Sequence, residues 1–459
     1  MNHLGPLASF YSLLLLLMWA PSVVCGCTDS FIIEEAEEEK LLHELSNSPI
    51  DHFPLVGNRN ESDTTSFFLE NNHPAVVAMR ERANQIARIK WSPLLDMLGN
   101  RLTGQEIKGI PYSSVKEMDK FIGQEVSFST FLSAVNNPRS VLYTENVGEY
   151  PYNGINCSLY YGTVCSMAVN YALGTERPYW VSLIPTLSCF QPVAIQDFQH
   201  CASGDIIWVK NHVVLITDVK KDSDGNVLSI EILESGGGSF RSGTGITWYS
   251  IEQAKQRWSE GRFCLYRYKF LDERTRDYPL IPLLNSSCQE DYTNDEFCLS
   301  RGNYSCYRVG EDVVFNVFSS LYSRLIIEKN SERYIITQIN PEQDIVISDL
   351  PAGLYQAYLE NSSGITSEMI YFEMVDTPVS ASMINNYLHV TFPTEGSFPE
   401  YLEFCKETGG RIYITDIQGF ERERGEKIIR CDHSTSGLFL KVFFRGQYGR
   451  VSNKMLALK

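Results

Sequence analysis

The sequence predicts an α+β domain followed by two all-β sandwich-like domains, carried behind an export segment. Three observations lead there. Apolar side chains at Val76, Met79, Ala83, Ile86 and Ile89 recur at three- and four-residue steps, as on an amphipathic helix. Between residues 205 and 270 the pattern changes to β-branched apolar runs broken by turn residues. After about residue 275 helical periodicity disappears and short strands alternate with turns, the spacing of β-sandwiches. A length of 459 residues suits about three domains. With 43% apolar and 21% charged residues the body is globular.

Residues 12 to 24 (SLLLLLMWAPSVV) have the length and apolarity of a signal-peptide core, although no Lys or Arg precedes them. The run ends in Val24-Cys25-Gly26-Cys27, which resembles a bacterial lipoprotein box with Cys27 as the lipidated residue. The expectation is a secreted or cell-surface protein with a signal peptide over 1–27, anchored to a membrane if Cys27 carries lipid. One acyl chain holds only weakly. Asn60, Asn156, Asn285, Asn303 and Asn361 head Asn-x-Ser sequons, which take glycans only in a eukaryotic secretory route.

Residues 28–73 are acidic and polar, with Glu34, Glu35, Glu37, Glu38 and Glu39 clustered, and read as a tether with one short helix. A first domain is expected over 74–274. Pro74 suits the start of its first helix. Shorter helical patterns follow at Ser114 to Ile122 and Ser127 to Val135, and Pro138 stops the second. Strands are expected at Ile206 to Val209, His212 to Val219, Val227 to Leu233 and Phe263 to Phe270. Asp222-Ser223-Asp224-Gly225-Asn226 forms the hairpin turn. One β-sandwich covers 275–376, a linker follows at Thr377-Pro378, and a second strand-rich unit covers 377–459.

The net charge of −17 would repel phosphates, and no basic tract offsets it, so nucleic acid is not an expected partner. No metal-finger spacing, P-loop lysine or dinucleotide fingerprint occurs, and no cofactor is expected. Of the 12 cysteines, those in the exported part default to pairing, with Cys405 and Cys431 a candidate bridge and Cys288, Cys298 and Cys306 close in sequence.

Cys165 stands apart from the others. It opens a stretch in which Ala168, Val169, Ala172 and Leu173 share one helical face, with Gly162 turning the chain before it and Gly174 stopping the helix. A thiol in the first turn of a helix sits beside free N–H groups that favour a thiolate. His212 heads the apolar strand NHVVLITDV. If the hairpin pairs positions whose numbers sum to about 446, His212 faces Glu234 and Val214 faces Ile232. Glu234 would then hold the imidazole by its second nitrogen. Glu231 reaches that face only after an odd slip of register. Taken singly, a buried helical cysteine, a strand-end histidine and a hairpin glutamate each read as structural. Their succession is what points to chemistry.

The order Cys165-Ser166, Gly204-Asp205, His212-Val213 and Glu234 resembles papain-like cell-wall hydrolases, in particular NlpC-type peptidases and CHAP amidases. The resemblance spans roughly residues 155 to 270. It implies a papain-like (NlpC/CHAP) fold for the α+β domain and a Cys165–His212–Glu234 triad. It also implies a cysteine peptidase or amidase acting on peptidoglycan stem peptides. Asn156-Cys157-Ser158 is a rival match for the thiol. Arg177 to Trp180 and His200 lie between thiol and imidazole and either line a cleft or cover the core. Gly236-Gly237-Gly238 reads as a rim. The alternative is a catalytically inactive cell-surface binding or adhesion protein built from β-sandwich modules.

Overall fold

The structure is a computed structural model. It describes residues 71–96, 102–113, 121–145, 159–175, 177–236, 243–259, 263–271, 296–393, 396–397, 399–408, 411–420, 425–431, 437–453 and 456–458. The signal segment, the tether up to residue 70, Cys27 and Cys157 lie outside the described residues.

The first unit begins with helix α1 (Pro74–Arg88), capped by the His73 side chain and packed through Val76, Met79, Ala83 and Ile86. Short pieces follow: β1 (Lys90–Trp91), β2 (Ile107–Lys108), α2 (Phe128–Val135) and α3 (Val141–Thr144). Helix α4 (Cys165–Leu173) precedes a 3-10 turn and β3 (Phe190–Pro192). Then come β4 (Asp205–Val209), β5 (His212–Lys221), β6 (Val227–Ser235) and β7 (Thr244–Ser250), followed by α5 (Ile251–Arg257) and β8 (Cys264–Tyr268). The strands form one antiparallel sheet in the order β3-β8-β4-β5-β6-β7. Val213, Leu215 and Leu233 share a core with Ala168, Val169 and Ala172 of α4 and with α1. The alternate residues Val214, Ile216 and Ile232 pack against Ile251 and Ala254 of α5 and against Trp258. Both faces are therefore covered, which explains why β5 reads as a continuous apolar run rather than an alternating one.

Two β units follow. In the first, a five-stranded sheet, β10 (Ser305–Arg308), β16 (Ile370–Val375), β15 (Gly353–Glu360), β12 (Arg324–Lys329) and β13 (Glu332–Gln338), faces a three-stranded one, β14 (Asp344–Ile347), β11 (Val313–Val317) and β9 (Phe297–Leu299). In the second, β17 (Ser380–Ile384), β18 (Tyr387–Thr391) and β21 (Glu426–Arg430) lie over a sheet built on β20 (Arg411–Gly419), β19 (Pro399–Thr408), β22 (Leu438–Arg445) and β23 (Arg450–Ser452).

The expected fold class, an α+β papain-like (NlpC/CHAP) domain before two β-sandwiches, is corrected. Among the described residues strands make up 43% and helices 16%, so the molecule is mostly β. The physical reason is the shortness of the helical stretches. Among the described helices only α1 exceeds nine residues, and of the expected helix at Ser114 to Ile122 the described residues Phe121 and Ile122 form bridges to Gly162 and Val126 instead. The expected Cys405–Cys431 bridge is also corrected, since Cys405 keeps a free, buried thiol. No helix among the described residues is long and apolar enough to cross a membrane.

Candidate active site

The chain ahead of α4 is pinned by its neighbours. Thr163 donates its N–H to Pro111 O at 3.0 Å, and Gly162 O accepts from Ile122 N at 2.9 Å. A Cβ at Gly162 would lie 2.3 Å from the Ser113 Cβ, so only glycine admits this close approach. Val164 takes the N-cap position without a side-chain cap, and Cys165 is the first helical residue. The first-turn N–H groups therefore have no intrahelical partner. At the far end Gly174 adopts φ 66°, and Arg82 Nε donates to Ala172 O at 2.9 Å. Asn170 Nδ2 to Tyr179 O (2.7 Å) and Tyr171 Oη to Gln85 Oε1 (2.8 Å) fix the helix sideways.

His212 follows a two-residue turn from Val209, with Asn211 in the left-handed region at φ 67°. The expected hairpin register is corrected by two residues. Leu215 pairs with Leu233 and Ile216 with Ile232, rather than Val214 with Ile232. Continued toward His212, this register sets Glu234 level with Val214, one diagonal step from the imidazole. An even shift keeps the same face, and a diagonal neighbour is within reach of a long side chain. His212 Nε2 and Glu234 Oε1 lie 2.8 Å apart. Glu231 belongs elsewhere: past a bulge after Ile216 it pairs with Asp218, and its carboxylate accepts from Thr217 Oγ1 at 2.9 Å.

Cys165 is 7% exposed and free of any disulfide, and it lies close enough to His212 to act on its imidazole electrostatically. Thus the structure brings all three sequence-predicted residues, Cys165, His212 and Glu234, into one chain of contacts. Burial alone would strip His212 of its proton. The bonds to Cys165 and Glu234 outweigh it and raise the imidazole to about 10. Burial likewise opposes charge on Glu234, yet His212 and the Arg257 guanidinium hold the carboxylate below its ordinary range.

Other candidates fall outside the site. Asp205 is fully buried and gripped by Arg267 at 2.7 and 2.8 Å, a structural ion pair. His200 pairs with Asp197 at 2.9 Å, half exposed. Arg177 donates to the Tyr179 hydroxyl and lies against Gly419 of the last unit, while Trp180 packs on Phe121. This stretch covers the core and meets the second β unit. Gly236 bonds to Gly243 O at 3.2 Å, and residues 237–242 lie outside the described residues. Sequence reasoning missed Arg257, whose Nη2 donates to both Glu234 oxygens at 2.6 and 2.7 Å. The signal was present as a capping box: Ser250 and Gln253 cap α5 reciprocally, with Arg257 in its last turn.

No family model and no curated protein sequence matches the chain. Solved structures give faint likenesses to β modules. Chicken CNTN1 FN1-FN3 domains match with 9% identity over 33% of this chain and 60% of that one, at TM-score 0.17. Clostridium thermocellum CbhA fibronectin(III)-like modules match with 10% identity over 34% and 87%, also at 0.17. Drosophila OTK extracellular domains 3-5 match with 10% identity over 36% and 65%, at 0.16. At these scores the likeness carries no argument about the site.

Proposed function

We propose that the chain is an exported cysteine peptidase or amidase that cleaves an amide bond through Cys165, His212 and Glu234. The substrate class comes from the sequence resemblance to NlpC and CHAP enzymes: stem peptides of peptidoglycan. One observation carries the reading. A free thiol at the head of α4 interacts with an imidazole whose Nε2 is held 2.8 Å from a carboxylate. With Nε2 committed to Glu234, Nδ1 is the nitrogen that serves the thiol. His212 takes the thiol proton, and the sulfur adds to the amide carbonyl. The uncapped first-turn N–H groups of α4 suit the resulting oxyanion. The imidazolium returns its proton to the departing amine as the C–N bond breaks. Water, deprotonated by His212, then hydrolyses the thioester.

Cys165→Ala abolishes amine release from wall fragments by the purified mature protein, while Cys157→Ala leaves it intact. Turnover by the Cys165 variant at the unsubstituted rate would reject the assignment. A second reading, an inactive surface binding or adhesion protein, is favoured by the preponderance of β structure. It predicts that the unsubstituted protein releases no amine and adheres to wall polymer equally well with Cys165→Ala.

A further inference from the structure

We propose that Arg257 is the positioning residue of this site: it clamps the Glu234 carboxylate so that one oxygen stays turned toward His212. The proposal rests on the triad reading above and deepens it.

Glu234 Oε1 is shared between His212 Nε2 at 2.8 Å and Arg257 Nη2 at 2.6 Å, and Oε2 accepts from the same nitrogen at 2.7 Å. Both carboxylate oxygens are thereby occupied, so the group cannot rotate about its last bond without breaking a charge-assisted contact. Such a clamp is needed because Glu234 is 24% exposed against 16% for His212. A carboxylate about a quarter exposed and reaching diagonally across a hairpin has other rotamers open to it. The clamp is itself held. The guanidinium lies over the rings of Tyr249 and Trp258, 5.3 and 5.0 Å from their centroids, and donates to the Tyr249 hydroxyl. A guanidinium seated over two rings presents a planar fork to the carboxylate that an ammonium cannot reproduce. Arg257 also places a second cation near the imidazolium, an effect of opposite sign. Its charge weakens the pull of Glu234 on the His212 proton, whereas its grip preserves that pull.

The experiment follows carbamidomethylation of the peptide containing Cys165 by mass spectrometry, from pH 5 to 10, in the full mature chain. The proteins are the unsubstituted one, Arg257→Lys, Arg257→Ala and Glu234→Ala, with the buried Cys201 remaining unlabelled as the gauge of an intact fold. The expected result is a fall of about tenfold at pH 6 in both Arg257 variants. The acid limb should move upward by roughly one pH unit, toward that of Glu234→Ala, with no rescue by lysine. Profiles superimposable on the unsubstituted one would overturn the proposal. So would a downward shift, which would make Arg257 a charge brake, or full rescue by lysine. If the unsubstituted protein itself labels Cys165 only at ordinary thiol pH, the triad reading fails too, and that arm shows it alone.

Discussion

The proton held by His212 decides what Cys165 can do. The imidazole is raised from its ordinary 6.5 to about 10 by its bonds to Cys165 and Glu234, against its burial. A cation whose proton is bound more tightly in the fold stabilises the fold fully below 6.5. That contribution is lost only as pH rises through about 10. Across the neutral range His212 therefore keeps its proton, the state from which the proposed mechanism hands it to a leaving amine. Burial elsewhere has the reverse effect. It pushes Cys201 up to about 12, and Cys306 also well above its ordinary range, with the Glu373 carboxyl adding to the effect. These thiols are inert packing. Burial also bears on modification: Asn303 is 4% exposed and its Oδ1 accepts from Tyr304 N and Tyr371 N. That sequon therefore cannot take a glycan without unfolding.

At the scale of elements, the site depends on how α4 enters its place. Gly162 lies where a Cβ would meet the Ser113 Cβ at 2.3 Å and Pro111 O at 2.9 Å. Gly162→Ala must push apart the strand-like contacts that aim Cys165. The expected cost is about 1–3 kcal/mol of stability, with a loss of amine release larger than that of Gly174→Ala. The check is chemical denaturation alongside turnover, and an unchanged pair of values would contradict the packing argument. Much of this was legible. The spacing of Ala168, Val169, Ala172 and Leu173 marks α4, and the Asp222 to Asn226 turn marks the β5–β6 hairpin. The parity of His212 and Glu234 survived a two-residue error in register because side chains alternate with period two. The mostly β balance was not legible. Phe121 and Ile122, read as the end of a helix, spend their backbone groups on Val126 in a local turn and on Gly162, a partner that only tertiary contact supplies. Arg257 was hidden for the same reason, since its partner Glu234 is twenty-three residues away on a strand.

On the scale of the whole molecule, both β units are bound to the first by buried contacts. Asn137 Nδ2 reaches Asn316 Oδ1 at 2.9 Å, Asn303 N reaches Ser133 Oγ at 2.9 Å, and Gly302 sits against Thr130 O. Arg450 donates from its backbone to Glu125 O at 2.9 Å and from Nη1 to Gln124 O at 2.5 Å, while Tyr401 Oη reaches Glu125 Oε1 at 3.2 Å. Tyr401 and Phe443 belong to the same core as α4. At this junction Glu403 is fully buried, bonded at 3.4 Å by Trp180 Nε1. Burial raises it from 4.5 to about 7, against the pull of Lys441 and Trp180. Its carboxyl keeps a proton in the fold that the unfolded chain gives up, so stability falls as pH rises from 4.5 to about 7 and then levels. The drop is about 3 kcal/mol. Glu403→Gln should lack that part of the slope, giving a smaller loss of Tm between pH 5 and 8 than the unsubstituted protein, and identical slopes would contradict it. The central claim, that this assembly holds a reactive thiol against His212, is tested most directly by the alkylation rate of Cys165 at pH 6 with and without His212→Ala. The account predicts labelling about a hundredfold faster in the unsubstituted protein. Equal rates in the two proteins would contradict it.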